Sequence, residues 1–499
     1  EFINNQGAEK KVCITEDGRL LDGDTGASRP NLVLQPYTKP DGSKSAWAIM
    51  AYEETKGVGG GAPDHEPDGG PYGDEPVVDE GKNAIYHSFD FQNPDLVSPG
   101  TILNLPERDP VTNDLVYLKE VSLEENGNLV YGDLVLDYLG RPQLAYENAR
   151  RPRFILQSKS AMGDSKTVLL ILYKEGEEGH GRPSDIMMRR VKVTGTGNPY
   201  APKYIVCNET ALADNGQTVC VDGAMNMSSV SIVDDAPPGG EPTSEDPYGD
   251  IKVISWEQTP ENFDDFSFSN PYDDARAHRG QIRGDFVVMG YSYTPNWAAA
   301  RNGNDKYDFL MRRSFDGGVT WTTDPAGAGV TNCYEWKDTA TEDPHDRYLE
   351  CKTFDVGEFE QARNLSQLKN AKESVIEPRI VAVPGTIKDP ATSQWTGIPE
   401  DKQNPNVFYV SYGTSTNPKK DPVTGEQDMP APADLFYSFS QDKGETTVLV
   451  EWDVNPDSDG NWAGEIVERW DFRAKGDPEQ GEAQLRMTPD GSRFYATWL

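Results

Sequence analysis

The stretch Arg313-Ser314-Phe315-Asp316-Gly317-Gly318-Val319-Thr320-Trp321 reads S-x-D-x-G-x-T-W from Ser314 onward. An aspartate followed by two glycines calls for a tight turn with positive φ. The short side chains of Ser, Asp and Thr can satisfy the amides of that turn, and the tryptophan can pack over it. The run before it, Asp308-Phe-Leu-Met311, has the composition of a strand. A second copy stands at Ser440-Gln-Asp442-Lys-Gly444-Glu-Thr446-Thr447, with threonine in place of tryptophan, and it follows a similar run, Asp434-Leu-Phe-Tyr437. Two such turns at one phase behind two such strands point to a repeated all-β unit.

Working outward, Ala27-Ser-Arg-Pro-Asn-Leu-Val-Leu-Gln35 returns 122 residues later as Ala149-Arg-Arg-Pro-Arg-Phe-Ile-Leu-Gln157. Each copy leads through a polar turn into a second apolar run, Ala46–Glu53 and Thr167–Lys174, with Tyr52 and Tyr173 next to last. Looser copies follow at Gln281–Tyr291, ending on its tyrosine, and at Glu377–Val383 with Asn406–Tyr412; a partial fifth begins at Ala483 around an Asp490-Gly491 turn. A third strand opens with Asn83, Asp185, Asp308 and Asp434 in turn. The repeats thus begin near residues 27, 149, 279, 377 and 483, and Met225–Val233 with Asp250–Trp256 offers material for one more. Each unit is a meander of three or four antiparallel strands. Such sheets bury their faces when arranged radially, which predicts an all-β chain, 1–499, folded as one β-propeller of five to seven blades. Acidic, Gly/Pro-rich insertions near 55–82, 234–249 and 322–372 account for the long repeat spacing, and two of them carry Pro71-Tyr-Gly-Asp74 and Pro247-Tyr-Gly-Asp250. Lys10–Thr15 is expected to complete the last blade by pairing with the strand at Phe494–Trp498.

On these two S-x-D-x-G-x-T motifs the chain resembles the Asp-box (BNR-repeat) β-propellers of the sialidase type. The resemblance implies that the turn joins the third and fourth strands of a blade on the side away from the ligand face. Ser314, Asp316, Gly318, Thr320, Trp321, Ser440, Asp442, Gly444 and Thr446 are then structural. The general layout is also similar to large bacterial surface propellers known only by their anchor type. Catalytic sialidases use three arginines on the substrate carboxylate, a Tyr-Glu nucleophile pair and an Asp acid/base, with one arginine in an F/Y-R-I-P motif. The nearest match here, Glu377-Pro-Arg379-Ile-Val381, lacks the aromatic and the following proline. Arg29 and Arg151, and Tyr52, Tyr173, Tyr291 and Tyr412, recur by repeat and so read as structural, which leaves no residue assigned as catalytic.

The 47 Lys and Arg against 83 Asp and Glu give a net charge of −36, a surface that repels nucleic acid and anionic membranes. No window holds 18 uninterrupted apolar residues and the first twenty are polar, so neither a membrane span nor a signal peptide is read; a chain beginning at Glu1 fits a processed or trimmed protein. Cys207 with Cys220 and Cys333 with Cys351 each flank a turn-rich segment, as disulfides in an exported protein do, and Cys13 is left over. The five histidines, His65, His87, His180, His278 and His345, have no zinc spacing, and no haem, nucleotide or transition-metal motif is present. Asp457, Asp459 and Asn461 place oxygen ligands at alternate positions, as calcium loops do. The sequons at Asn208, Asn226 and Asn364 matter only in a eukaryotic secretory route. The sequence therefore predicts an extracellular or cell-surface propeller, with the periplasm as another compartment. It serves as a non-enzymatic binding, adhesion or scaffold module that meets a protein or glycan; the alternative is a sialidase-like glycoside hydrolase.

Overall fold

The computed structural model describes chiefly residues 27–55, 82–94, 100–123, 129–136, 140–157, 168–176, 184–192, 197–232, 256–260, 273–297, 306–337, 347–366, 373–398, 403–416, 432–445 and 484–497. They are all-β. The first copy is the meander β1 (Ala27–Thr38), β2 (Lys44–Thr55), β3 (Lys82–Asp90) and β4 (Thr101–Ile102), paired in that order. The second is β5 (Asn148–Gln157), β6 (Val168–Gly176), β7 (Ser184–Val191) and β8 (Ala224–Asn226). The third is β9 (Asp274–Arg283), β10 (Phe286–Thr294), β11 (Asp308–Ser314) and β12 (Arg363–Asn364). The fourth shows β13 (Glu373–Ala382), β14 (Phe408–Thr416) and β15 (Pro432–Ser440), and the last copy β16 (Gln484–Met487) and β17 (Phe494–Thr497).

The second and third meanders are buried on both faces, so their central strands are apolar without alternation. Leu169, Ile171 and Tyr173 of β6 pack with Ile49, Ala51 and Tyr86 of the first copy. Leu170 and Leu172, on the opposite face of the same strand, pack with Val287, Met289 and Tyr291 of the third. Val288, Phe309 and Met311 then meet Val375, Phe408 and Val410 of the fourth, and Val407 meets Met487 of the last. Each hydrophobic layer therefore lies between consecutive repeats, and the first strands lie beside one another in the order β1, β5, β9, β13.

The turn after β11 forms as the sequence predicts. Asp316 accepts hydrogen bonds from the Val319 and Thr320 amides at 3.0 and 2.9 Å and from Thr320 Oγ1 at 2.6 Å, while Ser314 Oγ accepts from the Gly318 amide at 2.8 Å. Gly317 and Gly318 take φ of 76° and 81°, and Trp321 is buried. At the second copy Ser440 Oγ accepts from Gly444 at 2.7 Å, and Lys443 adopts the positive φ, 58°, that Gly317 supplies in the first; Thr446 lies outside the described residues. The third-strand Asn and Asp residues also have a shared task. Asn83 contacts Asn104, Asp185 contacts Ser228 and Asp308 contacts Ser366, each reaching the segment that carries the fourth strand. Two of the sequons belong to this device: Ser228 and Ser366 also touch Asn226 and Asn364 two residues earlier, and Asn226 is fully buried. They are repeat elements, because a polar pair must satisfy the third strand where the short fourth strand ends.

Other expectations need correction. At Met225–Val233, Ala224–Asn226 completes the second meander and Val230–Ile232 pairs with Trp256–Gln258 in a separate two-stranded sheet, while residues 233–255 lie outside the described residues. Within the insertion 322–372, Val330–Lys337 and Arg347–Phe354 pair as antiparallel strands. Of the segment meant to close the ring, Lys10 pairs with Phe2 rather than with β17, and the rest lies outside the described residues, as do both Pro-Tyr-Gly-Asp motifs.

Candidate functional site: an arginine cluster on the first-strand bulges

The first strands of the first four copies break register at the same place. The pairing shifts between Ser28 and Asn31, opposite Leu172 and Lys174 in β5, between Arg276 and Arg279, and between Ile376 and Arg379. Inside each bulge one non-glycine residue has positive φ: Arg29 at 50°, Arg151 at 56°, Ala277 at 56° and Glu377 at 46°. The next residue is Pro30, Pro152, His278 or Pro378, and the one after is Asn31, Arg153, Arg279 or Arg379. A left-handed residue inside a bulge turns neighbouring side chains out of the pleat. Four bulges on adjacent strands thereby gather their side chains at one end of the meanders. The S-x-D-x-G turns follow the third strands at the opposite end, where Ser314 pairs with Val287 near the start of β10.

The charges that meet there are mostly of one sign. Arg29 pairs with the fully buried Glu53 at 3.3 Å, and Glu53 also takes Lys82 at 3.4 Å and the Arg151 backbone amide at 2.7 Å. Asn31 donates to the Pro152 carbonyl at 2.7 Å and accepts from Arg153 at 3.3 Å, tying the first bulge to the second. Arg379 pairs with Glu377 at 3.2 Å. Arg151, Arg153, Arg276 and Arg279 make no ion pair among the described residues. Burial and then repulsion by Arg29 pull the Arg151 guanidinium below its ordinary range, with Glu53 opposing. Burial followed by Arg379 and Arg29 does the same to Arg153. Arg279, pressed by burial, Arg379 and Arg153, is pushed down to about 9 and stays cationic at neutral pH. Like charges held together at the expense of their solvation, in a chain of net charge −36, present charge-assisted donors of the kind that can hold an anion.

The wall of the cluster is a buried polar network. Arg276 lies over the Tyr307 ring, 3.6 Å from its centre, and the Tyr307 hydroxyl donates to Asp274 at 2.6 Å. Asp274 also takes Lys174 and Ser184, both at 2.6 Å, and is fully buried. His278, 1% exposed, is held well below its usual range by burial, then by Arg279 and Arg153, against the favourable Arg151 carbonyl.

The structure joins Cys207 to Cys220 and sets Cys333 opposite Cys351 in one hairpin register. Arg29, Arg151 and Arg379 come together in the cluster. The recurrent tyrosines serve packing and hydrogen bonding: Tyr173 donates to the Leu103 carbonyl at 2.8 Å, Tyr291 accepts from Gln258 at 2.7 Å, Tyr52 stacks on His87 and Tyr412 on Phe436. Asp457, Asp459, Asn461, Cys13, His65, His180 and His345 lie outside the described residues. Sequence reading missed Arg153, Arg276, His278 and Arg279. Arg153 already stands opposite Asn31 in the quoted second copy, and starting the third copy at Ala275 rather than Gln281 would have aligned Arg276 with Arg150, His278 with Pro152 and Arg279 with Arg153. No family model, curated protein or solved structure matches this chain.

Proposed function

We propose that the chain is an exported or cell-surface β-propeller that binds an anionic ligand at the arginine cluster, as a non-enzymatic module. The propeller reading is supported by consecutive meanders stacked face to face with their first strands adjacent. Export is supported by the Cys207–Cys220 disulfide. The observation that carries the function is the convergence of Arg151, Arg153, Arg276 and Arg279 with no ion pair to any of them among the described residues. Most cluster positions recur from blade to blade, which suits a receptor better than the asymmetric acid, base and nucleophile of a hydrolase. The tyrosine–carboxylate pair beside Arg276, Tyr307 and Asp274, is buried, and Lys174 already neutralises the carboxylate.

Calorimetry with glucuronate and N-acetylneuraminate, against neutral glucose, tests the reading. Both acids bind and glucose does not. Replacing Arg151 or Arg279 by alanine weakens binding by about tenfold to a hundredfold, the range for one charge-assisted hydrogen bond. Equal affinity in the variants refutes the site. Turnover of a fluorogenic glycoside panel, sialosides included, that these substitutions abolish establishes the hydrolase instead.

A further inference from the structure

His278 stands where the first, second and fourth repeats carry proline: Pro30, Pro152 and Pro378. The backbone before it has the same positive φ in all four copies, so the bulge does not require an imidazole. The ring is buried, and neither Nδ1 nor Nε2 makes a well-formed hydrogen bond in the described structure. Buried imidazole nitrogens are ordinarily satisfied, and here the Arg151 carbonyl acts on the ring as an acceptor without a well-formed bond, so at least one nitrogen is left for a further partner. Its surroundings say what that partner is. Arg279 faces the ring from its own strand, and Arg151 and Arg153 face it from β5, together with the Arg151 carbonyl. One step out, Arg379 and Glu377 on β13 act on Arg279, and Glu53 on β2 acts on Arg151. The immediate shell is cationic, so the ring is neutral while the cluster is empty, and an anion reverses that balance.

We propose that His278 completes the anion site: an oxyanion held by Arg151, Arg153 and Arg279 receives a hydrogen bond from the imidazole, which takes up one proton from solvent as the ligand arrives. This deepens the arginine-cluster reading and rests on it. No covalent bond changes; the proton comes from the buffer and leaves with the ligand. The ligand is a small molecule bearing a carboxylate or a sulfate, because the field of a chain of net charge −36 repels a large polyanion, whereas a small one feels chiefly the local arginines.

The probes are inorganic sulfate and glucuronate, both fully ionised across neutral pH, so any proton taken up belongs to the protein. Titration calorimetry in two buffers of different ionisation enthalpy measures the uptake directly on the unaltered chain. Binding of the favoured probe takes up as much as one proton, and affinity rises as pH falls, by at most about tenfold per pH unit. Preference for one probe tells carboxylate from sulfate. His278→Pro restores the residue of the other repeats, so it keeps the bulge; it binds with no proton uptake and a flat pH profile. Uptake that is absent in the native chain, or unchanged in His278→Pro, overturns the proposal while Arg151-dependent binding leaves the receptor reading standing. Failure of both probes to bind at any pH overturns the receptor and the proposal together.

Discussion

Gly318→Ala measures how tightly one repeat docks on the next. Gly318 has φ of +81°, and a Cβ there would stand 2.6 Å from Leu170 Cδ1 and 3.0 Å from Cδ2. The left-handed backbone costs a non-glycine residue about 1–2 kcal/mol. Leu170 is fully buried between the second and third repeats, so it has no open space into which to withdraw, and overpacking adds about 1–3 kcal/mol. The expected loss is therefore about 2–5 kcal/mol. Gly42→Ala is the internal reference, since Gly42 has a similar φ of +85° with nothing within 4 Å of the added Cβ. It should lose only the backbone share, about 1–2 kcal/mol. Urea unfolding followed by tryptophan fluorescence reads both, and Trp321 beside the turn is buried in the same layer. Equal losses in the two variants would refute the reasoning, because the contact with Leu170 would then relax without cost and the turn would not wedge the second and third repeats together.

Further expectations concern charge and cross-links. Burial opposes ionisation of Asp316, yet hydrogen bonds from Thr320 and Ser314 outweigh it and hold its folded pKa below the unfolded value of 3.8. Its contribution is thus present above that pH and is lost as pH falls through the folded value; the urea midpoints of the native chain and Asp316→Asn, well apart at neutral pH, should converge in acid. Removing the Cys207–Cys220 bridge, which spans 13 residues, should weaken the hairpin Thr210–Leu212 with Thr218–Cys220 by about 3 kcal/mol, seen as faster amide exchange there. The small apolar cluster of Leu144, Ala213, Val219 and Val221 should loosen with it, while exchange in β6 and β10 stays unchanged.

The local chemistry was legible in the chain. Asp and Gly at fixed offsets dictate a turn of positive φ wherever they occur, so Ser314 to Trp321 reads correctly without any knowledge of its neighbours. The repeat of apolar runs likewise fixes strands, because a sheet packed on both faces needs unbroken apolar residues such as Val168 to Tyr173. What no single segment contains is the relation between segments. Arg29 and Arg151 look structural when each is read in its own repeat, Arg379 reads there as an incomplete match to a catalytic motif, and the bulges that carry them do have a structural part. Only the adjacency of β1, β5, β9 and β13 brings residues over a hundred positions apart into one electrostatic field, in which Arg153, Arg276, Arg279 and His278 become a site. The same holds for Asn226 and Asn364: as tripeptides they read as sequons, and pairing with the third strand makes them part of the fold. Turn chemistry acts within a few residues, whereas charge and burial act through space, so the sequence decides the first and the tertiary structure decides the second.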